Sequence, residues 1–282
     1  WRGASDRSRA GLNRYPEPQS RELIARLAAL YGVAPEQVLV GRGSDEAIDL
    51  LVRAFCRAGQ DQVLVCPPTF AMYRFAADVQ GAGVVEVPLR RDQGFSLDAD
   101  AVLAAATPAT RLVFLCSPNN PTGNLLERGA VERVIESLAG RAVVVVDEAY
   151  VEFSSAGSLV PWLSRYPHLA ILRTLSKAYG LAGARCGAVL GSVELIGLLR
   201  RMIPPYAVSV QTIESVMDAL EEERIVACRE QVLLLVAERE RMRSRLAAVP
   251  RVSRVWPSDT NFLLVESPDP GRLLDAGIAA GL

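Results

Sequence analysis

Between residues 37 and 191 the chain repeats one pattern. A short apolar run rich in valine and leucine is followed by a stretch with helical spacing. "QVLV" (37–40) precedes "SDEAIDLLVRAFCRAG", "QVLVCPP" precedes "TFAMYRFAADVQGAG", and "VVEVPL" precedes "LDADAVLAAA". "RLVFLCSP" leads through a turn into "LERGAVERVIESLAG", and "AVVVVDEAY", "LAILRTLSK" and "GAVLG" follow. Strands that are apolar throughout need cover on both faces, and parallel neighbours need a crossover long enough to be a helix. The alternation therefore predicts an α/β fold, a mostly parallel sheet sandwiched by helices. Gly32, Gly59, Gly81 and Gly140 stand where helix C-caps are expected.

The pattern changes at Pro204-Pro205. Beyond it, "ESVMDALEEERIVACREQVLLLVAERERMRSRLAAV" reads as long helix with room for an interruption, and "VSRVWPSDTNFLLVES" as strand, turn and strand. A length of 282 residues accommodates one large and one small domain. The expected division is a large α/β domain at 31–205 and a smaller α+β domain at 206–282.

A net charge of −1 gives no electrostatic case for nucleic acid or an anionic membrane. Runs such as "AVVVV" and "VLLLVA" fall far short of the roughly 18–20 apolar residues of a membrane span. No basic-then-apolar signal segment opens the chain, which starts at Trp1, so residues are expected to precede it. The five cysteines (Cys56, Cys66, Cys116, Cys186 and Cys228) lack CxxC spacing, and four lie in or beside apolar runs. Reduced packing residues of a cytoplasmic protein are expected, with no metal. His168 is the only histidine, which speaks against a His-built metal site or a Ser-His-Asp triad; it reads as a loop residue before a strand.

In an open parallel sheet, ligands gather at the carboxyl ends of the strands. Asp147 follows the apolar run of "AVVVVDEAY". Asn119 and Asn120 follow "RLVFLCSP" in the turn "PNNPTG". "GRGSDEA" follows "QVLV" and opens a helix. Such a helix start offers free N–H groups and a positive dipole end suited to phosphate. Each feature also has a plain structural reading: Ser44 as an N-cap with Asp45 and Glu46 in the first turn, "NNPTG" as a β-turn, Asp147 as a cap. Lys177 in "RTLSKAYG" is more telling, because it is the only lysine among 31 basic residues. Arginine substitutes readily for lysine as a surface cation. It cannot substitute where a neutral amine must attack a carbonyl, since guanidinium stays protonated. A lone lysine therefore points to Schiff-base chemistry. Pyridoxal phosphate asks for such an amine, an anion for its pyridine nitrogen, donors for its phenolic oxygen, a phosphate cradle and a flat group over the ring. Lys177, Asp147, Asn120 with Tyr150, the Ser44–Asp45 helix start with Ser176 and Arg185, and Phe70 supply these in turn.

The set "RGSDEAIDLL", "CPPTFAMY", "SPNNPTG", "VVVDEAYVEF", "RTLSKAYGLAGARCG" and "TNFLL" resembles the fold-type-I, aspartate-aminotransferase-like enzymes that use pyridoxal phosphate. "LNRYPEPQ", "YPHLAILRTLSKAYGLAGARCG" and the spacing between motifs resemble the histidinol-phosphate aminotransferase family of histidine biosynthesis. The likeness runs from about Leu12 to the end. It implies that Lys177 binds the cofactor and later moves the substrate proton, that Asp147 keeps the pyridine nitrogen protonated, and that Asn120 and Tyr150 bond the phenolic oxygen. Ser176, Arg185 and backbone amides near Ser44 and Asp45 would hold the cofactor phosphate. Tyr15 would reach the phosphate of a neighbouring subunit, making a homodimer with residues 1–30 in its dimer and small-domain region. Tyr206 and Asn261 would stand near the substrate. The implied substrates are histidinol phosphate and 2-oxoglutarate, giving glutamate. Family members also open with an Asn-Glu-x-Pro segment and continue several dozen residues past "DAGIAAGL", where an arginine grips the substrate's anionic group. No residue here takes that role, so the small domain is expected to be incomplete, whether the chain is part of a longer one or shortened and impaired. Aminotransferases for aromatic amino acids and threonine-phosphate decarboxylase-like lyases share every motif. A sensing module without catalysis is the alternative of another class.

Overall fold

In the computed structural model, residues 12–281 are described; the expectations placed on residues 1–11 lie outside them. The first helix, α1 (Arg21–Tyr31), is capped by Ser20, whose side chain accepts from the Leu23 amide, and it ends on Gly32 at φ 70°. Leu23, Ile24, Leu27, Ala28 and Tyr31 form its buried face.

A seven-stranded sheet follows from the apolar runs: β1 (Val38–Gly41), β2 (Gln62–Val65), β3 (Gly83–Glu86), β4 (Thr110–Cys116), β5 (Val143–Asp147), β6 (Leu169–Thr174) and β7 (Gly187–Gly191). Its order is β1-β7-β6-β5-β4-β2-β3. Only β7 runs against its neighbours β1 and β6; the other pairings are parallel. Helices α2 (Ser44–Phe55), α3 (Met72–Gln80), α4 (Ala99–Ala105), α5 (Arg128–Ser137) and α6 (Val193–Arg200) connect and cover it.

Strand alternation sorts the apolar residues into two layers. Val144 and Val146 of β5, Val113 and Leu115 of β4, and Ile171 of β6 join one core with α1 and α5. Val143 and Val145, Leu112 and Phe114, and Leu172 join a second core with α2, α3 and α6. This is the α/β sandwich expected of strands apolar on both sides.

The glycine caps divide. Gly32 and Gly81 end α1 and α3 in the left-handed conformation. Helix α2 ends earlier, at Cys56, and α5 ends at Leu138. Gly59 and Gly140 do have positive φ, but in the turns that follow. The Asp61 carboxylate takes the Arg57 amide at 2.9 Å and turns the chain before Gly59 is reached.

Beyond Pro204-Pro205 the long helical stretch is broken at Leu220–Glu221 into α7 (Val210–Ala219) and α8 (Glu222–Ala247). A two-stranded antiparallel sheet, β8 (Arg254–Val255) with β9 (Val265–Glu266), and α9 (Pro270–Ala279) complete the described chain. Trp256 packs on Phe95 with ring centroids 4.7 Å apart and joins the α1–α5 core. Among the described residues no helix is long and apolar enough to cross a membrane. His168 precedes β6, its Nε2 2.8 Å from the Ile135 carbonyl oxygen.

Helix α1 buries its apolar face in the same core as the sheet, so Leu27→Ala is expected to cost about 2–5 kcal/mol of folding free energy, read by urea denaturation.

Candidate active site

The residues at the C-terminal ends of β4, β5 and β6 that share one strand parity are Cys116, Asp147 and Thr174, and all three line one cavity. Ser44, Asp45, Phe70, Asn120, Tyr150, Ser176, Lys177 and Arg185 line it as well. Fold and parity thus bring together nine side chains singled out from the sequence, from segments spread over some 140 positions.

Asp147 is 3% exposed. Its Oδ2 accepts from the Tyr73 hydroxyl at 2.8 Å and its Oδ1 from the Ala149 amide at 3.0 Å. Burial pushes its carboxyl up to about 6, against the opposing pull of those donors. Tyr73 is held by stacking on Phe114, centroids 4.7 Å apart, with Phe70 edge-on at 5.7 Å. Lys177 Nζ lies 5.3 Å from the Tyr150 ring centre. Burial raises the Tyr150 hydroxyl, and the nearby Lys177 amine works the other way. Phe262 packs edge-on against Tyr150 at 5.2 Å, and Val232 and Cys228 of α8 close that side.

The start of α2 forms the anion-binding end. Gly43 takes the cap position at φ 89°, so Ser44 is the first helical residue and not the cap. Among the described residues no side chain caps this terminus, which leaves its first amides open to a ligand. A Cβ on Gly43 would stand 2.8 Å from Arg185 Nη2, and one on Gly187 would stand 2.8–2.9 Å from Gly43 and Ser44 backbone. Both glycines are there because the strand, helix start and guanidinium approach so closely. Arg185 itself has φ 53°, a strained value for a side chain of its size. It reaches Asp45 Oδ2 at 3.0 Å and Ser176 Oγ at 3.5 Å. Glu46 is used locally, accepting from the Arg42 amide at 2.7 Å.

The two asparagines of "NNPTG" separate in role. Asn119 is buried and structural: its Nδ2 donates to the Pro68 carbonyl at 2.8 Å, and its Oδ1 accepts from Thr69 at 2.9 Å. Asn120 lines the cavity. Tyr15, Tyr206 and Asn261 lie outside the cavity wall. Tyr15 is 81% exposed and stacks on Tyr206, centroids 4.5 Å apart. Asn261 is exposed between buried Thr260 and the Phe262 that touches Tyr150.

Sequence reasoning passed over Tyr73, Cys116 and Thr174. For Cys116 and Thr174 a usable signal existed, since each ends its strand in step with Asp147. Nothing local distinguishes Tyr73 from other apolar positions of α3. The buried cysteines are free thiols, and among the described residues no group of three acidic, His or Cys side chains could hold a metal.

Chemically, the cavity offers one primary amine, a buried carboxylate with no ion-pair partner among the described residues, and a helix start paired with a guanidinium at the far end. That arrangement suits a flat molecule with an electrophilic carbon, a basic ring nitrogen and an anionic tail.

The chain matches the family described as aminotransferase class I and II over residues 2–279. It is 48% identical to a histidinol-phosphate aminotransferase of Xylella fastidiosa (strain 9a5c), over 100% of this chain and 78% of that one. It is 46% identical to the enzyme of the same name from Stenotrophomonas maltophilia (strain R551-3), with the same coverage. The crystal structure of histidinol-phosphate aminotransferase from Sinorhizobium meliloti in complex with pyridoxal-5'-phosphate superposes with a TM-score of 0.84 at 27% identity, covering 93% of this chain and 70% of that one.

The raised Asp147 carboxyl makes a signed prediction for the cofactor-free protein. Its folded value, about 6, exceeds the roughly 4 of an unfolded carboxyl, so its stabilising contribution is complete below about pH 4 and lost as pH rises through about 6. Urea unfolding between those pH values is expected to show stability falling with pH for the wild type and a flatter profile for Asp147→Asn. An identical profile for the two would rule the effect out.

Proposed function

Because the chain belongs to the class I and II aminotransferases, we propose that it is a pyridoxal-phosphate-dependent transaminase that takes the amino group of histidinol phosphate and passes it to 2-oxoglutarate, releasing glutamate. The observation that carries the reading is the single lysine of the chain opening into a cavity whose buried carboxylate, Asp147, has no ion-pair partner among the described residues.

The residues present fit the cofactor. A carboxylate that burial disfavours gains most from a cation placed beside it, and a protonated pyridine nitrogen is such a cation. The open α2 start, Ser176 and Arg185 form a cradle for a dianionic phosphate, in which the phosphate would take up hydrogen bonds that Arg185 now gives to Asp45. When bound, pyridoxal phosphate supplies an aldehyde that an amine can capture and a ring that draws electrons from the adjoining carbon.

The chain's own groups do the rest. Lys177 would hold the cofactor through its amine, and its Nζ, once free, would be the base that takes the proton from the substrate carbon and returns it one atom away. Asp147 keeps the ring nitrogen charged, and Tyr73 and the Ala149 amide orient its two oxygens. Tyr150 and Asn120 line the cavity where they would donate to the phenolic oxygen, and Phe70 lines it where it would cover the ring. Phe262 and the α8 residues Val232 and Cys228 pack behind Tyr150 and would hold its ring in place. In the same reading Tyr15 serves the site of a second copy in a homodimer, Tyr206 and Asn261 stand on the substrate side, and the protein works in the cytoplasm. Residues 31–205 form the cofactor domain and 206–282 belong to the small domain.

Borohydride reduction of the cofactor-loaded protein is expected to tag the peptide carrying Lys177; a loaded but untagged lysine contradicts the mechanism. Lys177→Arg keeps the charge and is expected to lower turnover by about 10³-fold or more. Histidinol phosphate added without a keto acid should convert the visible absorption of the bound cofactor to that of its amine form. An unchanged spectrum that responds instead to another amine in a panel would move the assignment to that donor.

A further inference from the structure

Arg173 takes no part in the cavity. It sits on β6 four residues before Lys177, and its side chain is 8% exposed. Strand alternation turns it away from Thr174 and onto the α1 side of the sheet. There its guanidinium lies 4.6 Å from the centre of the Tyr31 ring. Its Nη2 donates to Glu152 Oε1 at 2.6 Å and its Nη1 to Glu148 Oε2 at 3.4 Å. Glu148 is held further by the Leu159 amide at 2.6 Å and by the Ser158 hydroxyl.

These two carboxylates bracket the site segment. Glu148 directly follows Asp147, and Glu152 stands two residues beyond Tyr150. One guanidinium therefore joins the turn that carries Asp147 and Tyr150 to the strand that runs into Ser176 and Lys177. Only a planar fork reaches two carboxylates in this way.

Stability does not account for the cluster. Removing ions from water is costly, and well-packed apolar groups of similar size commonly do as well or better. Among the described residues this cluster also leaves Arg173 Nε, Glu152 Oε2 and Tyr31 Oη without hydrogen-bond partners. What it provides is direction. Backbone pairing already sets Asp147 beside Leu172, and the Glu148 amide donates to the Leu172 carbonyl at 3.0 Å, but beyond that bond no backbone hydrogen bond among the described residues joins the Asp147–Tyr150 turn to the segment carrying Ser176 and Lys177. The clamp lies just where that pairing ends.

We propose that Arg173 is a positioning residue, which acts from the face opposite the cavity to lock the Asp147–Tyr150 turn to the Ser176–Lys177 turn and so sets the separation of carboxylate and amine. The inference rests on the cofactor reading above. A misplacement of about 1 Å at a reacting group costs about 10²-fold in rate, so small slippage at the clamp is enough to be seen.

The test compares wild type, Arg173→Lys, Arg173→Met and Glu152→Gln as full-length, cofactor-loaded protein. The measurements are thermal midpoint, pyridoxal phosphate affinity by equilibrium dialysis, the pH titration of the visible absorption band, and kcat and KM with histidinol phosphate. Expected for Arg173→Met are a displaced titration midpoint, weaker cofactor retention and a kcat about 10²-fold lower at little changed KM, with Arg173→Lys between it and wild type. A lower thermal midpoint with unaltered titration and affinity would reduce Arg173 to a structural role and overturn the proposal. Should Arg173→Met fail to fold, Arg173→Lys and Glu152→Gln decide by the same criteria. A wild type whose Lys177 cannot be tagged by borohydride would overturn the cofactor reading and this inference with it, an outcome distinct from a tagged wild type with unaffected variants.

Discussion

A sheet covered on both faces has room for charge only where its strands end, and the site depends on that restriction. In β5 every residue from Val143 to Asp147 is buried, yet the first four are apolar and the fifth is a carboxylate. The apolar residues interlock with helices above and below, whereas Asp147 sits at the rim. There a hydroxyl and an amide reach its oxygens. The same rim carries the last residues of β4 and β6, the start of α2 and the turn bearing Lys177. Packing thus chose the location, and the polar groups had to converge on it.

Burial also sets what the carboxylate asks for. Away from water its charge is disfavoured, so a cation brought into the cavity beside it would be stabilised. The opposite end of the cavity works in reverse. Open helix amides and a guanidinium favour negative charge, and close glycine contacts press strand, helix start and Arg185 together. In the proposed reading, a ligand positive at one end and negative at the other would be held in one orientation, with the amine between.

Much of this was legible in the chain. Apolar runs alternating with helical stretches implied two covered faces, and two cores formed accordingly. Strand ends implied where Asp147, Asn120 and Lys177 would meet, because polar residues directly after apolar strands have one place to go. The solitary lysine supplied a chemical reason that arginine could not satisfy. Helix ends were less legible: α2 stopped before Gly59 because Asp61, four residues beyond Arg57, captured that residue's amide. The roles of Asn119 and Asn120 could not be separated in sequence, since two adjacent asparagines in one turn differ only in which way the fold points them.

The sequence by itself determined the fold class and the layer to which each strand residue belongs, since these follow from periodicity, and it pointed to the amine, carboxylate and helix start that the fold then brought to one cavity. Tertiary structure alone decided that Tyr73 from α3 would orient Asp147 and that Phe262 would cover Tyr150. It alone placed Arg173 between Glu148 and Glu152 beneath Tyr31. Each of these contacts joins segments whose separation along the chain carries no periodic signal. They exist only once the sheet has fixed the distance and direction between its strand ends.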